Sequence, residues 1–591
     1  MKKNFLIDNK VFFISLFVKF LLFDLLWALQ TTFTLFSIPD LYINTIAFAF
    51  LFSLPIVLTK NKKIHVALML LLDCILIANL MYNRTYNTII PFDSYFRIGN
   101  LKDFSESVID QMRWYDIILP LETLFFSILL WKKKNKFDHS LRQYAYATGL
   151  AFALSAIIIL CRGGFEKAIE KLQTPNSYTC VGPVYTVFGC ILYDVIHENE
   201  AYTNEKKQMV EAWFKAQPQY KPLGKTIAER RNLIIIYCES LESWCIEKSI
   251  EGKEITPNLN QLLREKNTIY APYVLTQVRG GRSIDAQLML DAGLLPIQNG
   301  SYAFKYPTNH FKTLIKAMKE QRPTKAYLLT VDKPIIWNQK IIGQQFGFDK
   351  MYFKKDWKPT ETMGPQKNLA DGAFVEQVIE KMKHGEIWKN GENAVIQMVT
   401  YSGHSPFKLP ETMQKMKLKE TYPNKMGDYM LTANYTDDAL GKFITYLKTR
   451  KDFDKTMIVI VGDHEGLAAD RQEICSSPKA KNIVSNHEYT PFIVINAPMS
   501  LRYEKVMGQI DQYPTLLQLL KLDNYPWKGL GQSILDTTKC PIAVGSKLNV
   551  EKSDKTISEP QIQHAIQAFD ISNTILKYDK MIALVNSNKI K

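Results

Sequence analysis

Apolar residues crowd the first third of the chain in five stretches, at 11–36, 41–59, 65–82, 116–131 and 144–161. Each approaches the length of about 20 residues that a helix needs to cross a bilayer. The first stretch exceeds the apolar core of about 7 to 15 residues in a cleaved signal peptide, and four more follow it. We therefore expect five spans. The fourth is the weakest, since it is short and carries Asp116, Pro120 and Glu122. Lys19, Asp24 and Asp73 also fall inside expected spans, where ionisable groups are costly and turn toward a bundle interior or a polar cavity. Pairing within the bundle is expected ahead of a role near a lipid headgroup.

Beyond the spans the period of the pattern changes. Short β-branched runs at 232–237, 326–331, 393–399, 456–462 and 491–496 alternate with helical periods such as "PNLNQLLRE" and "NYTDDALGKFITYLKTR". Such alternation predicts an α/β domain with a mostly parallel sheet flanked by helices. The fold class expected is thus an N-terminal five-helix transmembrane bundle plus an α/β extracytoplasmic domain. The organisation follows: a membrane domain at 1–162, a juxtamembrane connector at 163–230, a catalytic domain at 231–540 and a C-terminal extension at 541–591. The connector includes a helical pattern, "GFEKAIEKLQ". No internal repeat or low-complexity segment is evident.

Charge orients the spans. Lys2, Lys3 and Lys10 precede the first; Lys60, Lys62 and Lys63 separate the second and third; Lys132, Lys133, Lys134, Lys136 and Arg142 separate the fourth and fifth. Short cytoplasmic loops retain lysine and arginine, so the N-terminus is expected in the cytoplasm and everything after residue 162 outside it. The formal net charge of +15 then needs no nucleic acid partner, since the cytoplasmic lysines account for part of it and the remainder suits an anionic membrane surface. Eight cysteines show no C-x-x-C pair and no zinc spacing. Cys180 and Cys190 lie on the expected outer side, where a disulfide is permitted.

In sheets of this kind the functional crevice lies beyond the carboxyl ends of the strands. The residues found there are Glu239 in "CES", His404 in "TYSGHSPF", and Asp463 with His464 in "GDHEG". Ser283, in "QVRGGRSIDAQLML", stands at the mouth of a helix. There it could serve as an N-cap or as a nucleophile where free amides and the helix dipole hold phosphate. Glu239 could equally cap a helix, and His404 could be a satisfied loop histidine. Two carboxylates, an imidazole and a hydroxyl nevertheless make a four-group site for a divalent cation, and a cation beside Ser283 would ease loss of its proton.

Taken together, "GGRSIDAQLML" after a strand ending in Glu, a later "GHSPF", and "VGDHEG" before "NHEYTPF" resemble the lipoteichoic acid synthase family. These are membrane enzymes of the alkaline phosphatase and sulfatase superfamily. The resemblance implies five transmembrane helices followed by an extracytoplasmic catalytic domain. It implies a nucleophile at Ser283 after basic Arg282, with both as catalytic residues beside His404 near the phosphate. A metal, usually manganese in that family, falls to Glu239, Ser283, Asp463 and His464; zinc and magnesium are the alternatives. The headgroup stretch falls on Trp337, Asn338 and Gln339. Serine replaces the family's threonine, which keeps the hydroxyl, and Gln339 replaces an arginine, which removes a bidentate phosphate donor. His487 in "SNHEYTPF" resembles an added metal or phosphate ligand of phosphoethanolamine transferases.

The function implied is a plasma-membrane phosphotransferase that moves a phospholipid headgroup, glycerol phosphate first, through a phosphoserine intermediate to a cell-envelope polymer or glycan. Phosphatidylglycerol or phosphatidylethanolamine would be the donor. A phosphoethanolamine transferase acting on a glycolipid is the nearest rival. A sulfatase is disfavoured, because its activation needs x-Pro-x-Arg after the catalytic residue and Ser283 is followed by "IDAQ". From another class, an inactive membrane scaffold would keep the fold without the chemistry.

Overall fold

The computed structural model describes residues 10–30, 42–59, 61–86, 89–92, 94–95, 109, 111–132, 141–164, 187–189, 191, 200–221 and 228–587. Cys180, Cys190 and nearly all of the "GFEKAIEKLQ" helix pattern lie outside the described residues. The chain divides into two compact units, one made of 1–101 with 111–201, the other of 102–110 with 202–591.

The first unit holds α1 (Lys10–Gln30), α2 (Tyr42–Thr59), α3 (Lys62–Tyr86), α4 (Ile118–Lys132) and α5 (Leu141–Cys161). By length and composition all five are able to cross a membrane, α4 counted with the short 3-10 turn Trp114–Ile117 before it. The charges that weakened the fourth span find partners here. Lys19, fully buried on α1, pairs with Asp73 of α3 and, at 2.8 Å, with Glu122 of α4. Thr123 accepts from Lys19 at 2.8 Å and donates to Asp73 at 2.6 Å. Arg84 of α3 grips Asp116 with two bonds of 2.7 and 2.6 Å. An ion inside an apolar bundle is tolerable only when paired in this way, so the fourth span carries Asp116 in its leading turn and Glu122 on α4 opposite the cations of α3 and α1.

In the second unit the strands of the main sheet are β1 (Asn232–Cys238), β2 (Ile269–Leu275), β3 (Lys325–Thr330), β4 (Lys350–Tyr352), β5 (Ala394–Val399), β6 (Thr456–Gly462), β7 (Tyr489–Ile495), β8 (Leu501–Arg502) and β9 (Met507–Gly508). They form one sheet in the order β8-β2-β7-β6-β1-β5-β3-β4, with β9 paired to β2. Every neighbouring pair is parallel except those made by β7, which runs antiparallel to both β6 and β2. The sheet is therefore mixed through one reversed strand. β2 was not evident from the pattern, because Pro272 interrupts its run. The β2–β7 pairing shifts register between Thr490 and Phe492, around Pro491. Proline has no amide to give a ladder and belongs at such irregularities.

Side chains alternate across a strand, and β1 divides the core accordingly. Leu233, Ile235 and Tyr237 face a cluster with the helix α7 (Ser283–Ala292), whereas Ile234, Ile236 and Cys238 face the cluster that includes Val375 and Phe443. Burial on both faces is what makes the parallel strands read as continuous apolar runs. Helix α6 (Asn204–Ala216) joins the first cluster through Val210 and Trp213, the latter stacked 4.4 Å from His564. The helix α9 (Glu559–Lys577) adds Phe569, Ile571, Ile575 and Leu576 to that cluster.

Candidate active site

The parallel register of β1 and β6 sets Cys238 opposite Gly462. The next residues, Glu239 and Asp463, thus leave the sheet side by side. Asp463 Oδ1 accepts from the Ser240 amide at 2.7 Å and the His464 amide at 2.8 Å, and the Glu239 amide donates to Thr400 Oγ1 at 3.0 Å. These crossings are tight. A Cβ at Gly462 would stand 2.0 Å from the Leu241 carbonyl oxygen, and one at Gly403 would stand 2.0 Å from that of Glu239. The two glycines let the strand-end loops touch.

Ser283 arrives from the other side of the crevice as the first residue of α7. Asp285 Oδ2 ties the loop before it, accepting from the amides of Arg279 and Gly281 at 2.9 Å each. Burial raises the Asp285 carboxyl to about 7 against those bonds. Arg282 takes φ 48° and ψ −119°, a conformation costly for a side-chain-bearing residue. Its guanidinium pairs with Glu465, donates to the Glu465 carbonyl at 2.9 Å, and lies 2.9 Å from His464 Nδ1.

Four ligand-type groups meet at the centre. Ser283 Oγ is 3.5 Å from Glu239 Oε2 and 3.5 Å from His464 Nε2. His464 Nε2 is 3.4 Å from Glu239 Oε1 and 3.6 Å from Asp463 Oδ2. Among the described residues, Glu239, Asp463 and His464 are the group whose ligand atoms all fall within 4.8 Å of one another. A tetrahedral shell with bonds of about 2.1 Å has edges of about 3.4 Å, so the spacing matches a small divalent ion. Asp463 Oδ2 is buried and has no hydrogen-bond partner, a costly state unless a cation completes it. Burial and the adjacent Asp463 push the Glu239 carboxyl well above its usual range. Burial and Arg282 lower the His464 imidazole, which favours the neutral ring that binds metal. His464 Nδ1 lies between the Glu465 carbonyl at 3.0 Å and the Arg282 guanidinium at 2.9 Å, and the tautomer that gives the Nδ1 proton to the carbonyl leaves the Nε2 lone pair for a cation, the outer-shell arrangement usual for a ligating histidine. The residues fit a divalent cation.

The remaining expected residues are placed differently. His404 lies on the loop next to the Glu239 turn, its Nδ1 2.9 Å from the Ser405 carbonyl and its ring stacked on Tyr401. Trp337 packs 5.7 Å from Phe304. Asn338 donates inward to the Ala303 carbonyl at 2.8 Å, and Gln339, buried, donates to Gln287 at 2.8 Å. His487 is held by Glu551 at 2.8 Å and stacked on Tyr489, apart from the ligand group.

Glu465 stands beside His464 in "GDHEG", and nothing in the linear pattern singles it out. Burial opposes its ionisation, but the Arg282 guanidinium holds its carboxyl down at about 2. We expect Glu465→Gln to weaken divalent-metal binding by about 10- to 100-fold, measured by calorimetric titration, with Glu465→Asp recovering part of the loss. Equal affinity in all three proteins would make Glu465 a bystander.

This geometry, a strand-end carboxylate, an Asp-His pair and a helix-mouth hydroxyl on a sheet flanked by helices, defines the alkaline phosphatase and sulfatase class. Comparison narrows it. Residues 231–522 match the Sulfatase family and residues 1–179 the Lipoteichoic acid synthase N-terminal domain family. The chain belongs to the lipoteichoic acid synthase-like membrane phosphotransferases of that superfamily. It is 24% identical over 534 residues to a lipoteichoic acid synthase-like protein of Bacillus subtilis, covering 85% of this chain and 83% of the relative. It is 25% identical over 474 residues to the lipoteichoic acid synthase of Staphylococcus aureus, covering 77% and 72%. The solved lipooligosaccharide phosphoethanolamine transferase A of Neisseria meningitidis shares the fold, at TM-score 0.50 and 13% identity over 86% of this chain and 95% of that one.

Proposed function

We propose that the chain transfers a glycerol phosphate headgroup from phosphatidylglycerol through Ser283 to an envelope polymer or glycan, with residues 231–540 as the catalytic part. The observation that carries this reading is the Ser283 hydroxyl, 3.5 Å from both Glu239 and His464, beside the unpartnered Asp463 oxygen. A divalent cation, manganese in this reading, held by Glu239, Asp463, His464 and the serine oxygen, would lower the hydroxyl pKa and offset phosphoryl charge. Ser283 Oγ attacks phosphorus in line; the bond to the diacylglycerol oxygen breaks and that oxygen takes a proton. A serine-linked phosphodiester remains, which an acceptor hydroxyl displaces in the reverse sense. Residue 283 heads a helix, so the positive end of the α7 dipole favours the anion there. His404 is assigned to a phosphoryl oxygen and Trp337 to the headgroup border. Asn338 and Gln339, bonded inward, set that turn. Arg282, committed to Glu465, steadies His464 and the strained entry to Ser283. The lysine distribution puts the N-terminus in the cytoplasm and the catalytic part outside.

Full-length protein incubated with manganese and mixed phosphatidylglycerol and phosphatidylethanolamine vesicles tests this directly. The peptide containing Ser283 should gain glycerol phosphate. A gain of ethanolamine phosphate would reassign the headgroup. No adduct, with equally slow diacylglycerol release by Ser283→Ala, would leave the inactive scaffold.

A further inference from the structure

Outside the membrane unit, the large apolar side chains left exposed among the described residues are Ile109, Met209, Tyr273, Ile335 and Ile341. The two isoleucines, 58% and 39% exposed, fall on one loop and the start of its helix, α8 (Gln339–Phe346). The Lys340 amide donates to the Pro334 carbonyl at 3.3 Å, which closes the loop and brings both isoleucines to its neck. Lys340, exposed, stands directly before Ile341.

The rest of the loop is turned inward. Ile336 is buried, Asn338 bonds the Ala303 carbonyl, and Gln339 bonds Gln287. Trp337 and Asn338 hold φ values of 52° and 49°, strain that persists only where surroundings impose it. Gln287 lies four residues after Ser283 on α7, hence one turn on and on the same face, about 6 Å along the axis. The loop that leaves two isoleucines in solvent is thus anchored directly on the nucleophile's helix.

We propose that Ile335 and Ile341, with Lys340, dock on the anionic phospholipid leaflet that supplies the donor. This rests on the proposed lipid substrate. Isoleucine at the headgroup boundary buries apolar surface, and lysine beside it meets lipid phosphate. Both features are needed for one occupant, and the five apolar helices of the same chain point to a bilayer as that occupant. Docking there would present the lipid phosphodiester to Ser283 without drawing the acyl chains into the protein.

The test uses full-length protein in phosphatidylcholine and phosphatidylglycerol nanodiscs and two donors, the embedded phosphatidylglycerol and water-soluble bis(para-nitrophenyl) phosphate. The double variant Ile335→Glu, Ile341→Glu should lose about tenfold or more in kcat/KM for the lipid and stay within about twofold for the soluble diester. Equal loss on both donors, or loss on neither, overturns the docking surface. Should the wild type turn over the soluble diester and no lipid, the substrate reading fails, and a second measurement still decides the surface. A tryptophan at Ile341→Trp should be quenched in nanodiscs of brominated lipid well beyond the wild-type background, and one at Tyr273→Trp should not. Quenching at neither position, or equally at both, removes the proposal, and a concentration-dependent contact with a second copy that abolishes quenching reassigns the patch.

Discussion

Ser283→Ala should reduce phosphatidylglycerol turnover by at least about a thousandfold, the scale of losing a nucleophile that works as part of a unit. The argument is that no neighbour can replace it. Glu239 and Asp463 are the only carboxylates in the ligand group among the described residues, and a carboxylate occupied by a cation is a poor nucleophile. Ser283→Thr restores the hydroxyl at the same position and should recover activity to within about tenfold, because the reacting atom is unchanged and one methyl is added at a half-buried site. The alanine variant keeps three ligands, so its metal affinity should fall far less than its turnover. Diacylglycerol release and the mass of the Ser283 peptide measure both proteins. An alanine variant that still releases diacylglycerol at the wild-type rate would end the covalent mechanism.

Much of this architecture was legible in the chain, for identifiable reasons. Apolar run length marked five spans, since a helix in lipid must satisfy its own backbone and clothe it in apolar side chains. The strand ends bearing Glu239 and Asp463 were readable because fully buried parallel strands leave uninterrupted apolar runs, and the first polar residue after each run marks the crevice. Other features depended on contacts between distant residues. β2 was hidden by Pro272, and the reversal of β7 has no signature in alternation alone. Glu465 acts through Arg282, 183 residues earlier, and a charge beside a known pair reads as ordinary until its partner is seen. Gln339 looked like a headgroup residue in the linear pattern, but its side chain is bonded to Gln287, a partner only the folded chain supplies. The carboxyls of the fourth span, Asp116 and Glu122, weaken it in sequence and are explained by Arg84 and Lys19, which face them.

Asp463→Asn should separate the two energies that meet at the site. In the wild type, Asp463 Oδ1 is fully used by two amides while Oδ2 has no partner. Asparagine can keep the first oxygen, but an NH2 group in place of the second points hydrogens at the cation. Manganese affinity should fall at least about hundredfold, which at a concentration of 100 times the wild-type Kd cuts ligand stabilisation from about 2.7 to about 0.4 kcal/mol. The metal-free protein should respond in the opposite sense. Glu239 has its carboxyl raised above the ordinary 4.5 by burial and by Asp463. A raised carboxyl makes the folded state bind more protons than the unfolded one, so metal-free stability falls as pH rises from 4.5 through the folded value. Removing the Asp463 charge relieves part of that penalty, and the metal-free variant should melt no lower than wild type near neutral pH. Binding requires the ionised Glu239, so wild-type affinity grows with pH and binding releases protons. The variant should release fewer. Calorimetry in buffers of different ionisation enthalpy, with melting curves taken with and without manganese, reads all of these. A variant that binds manganese like wild type and gains the same melting increment would remove Asp463 from the ligand set and leave its orphaned oxygen without an explanation.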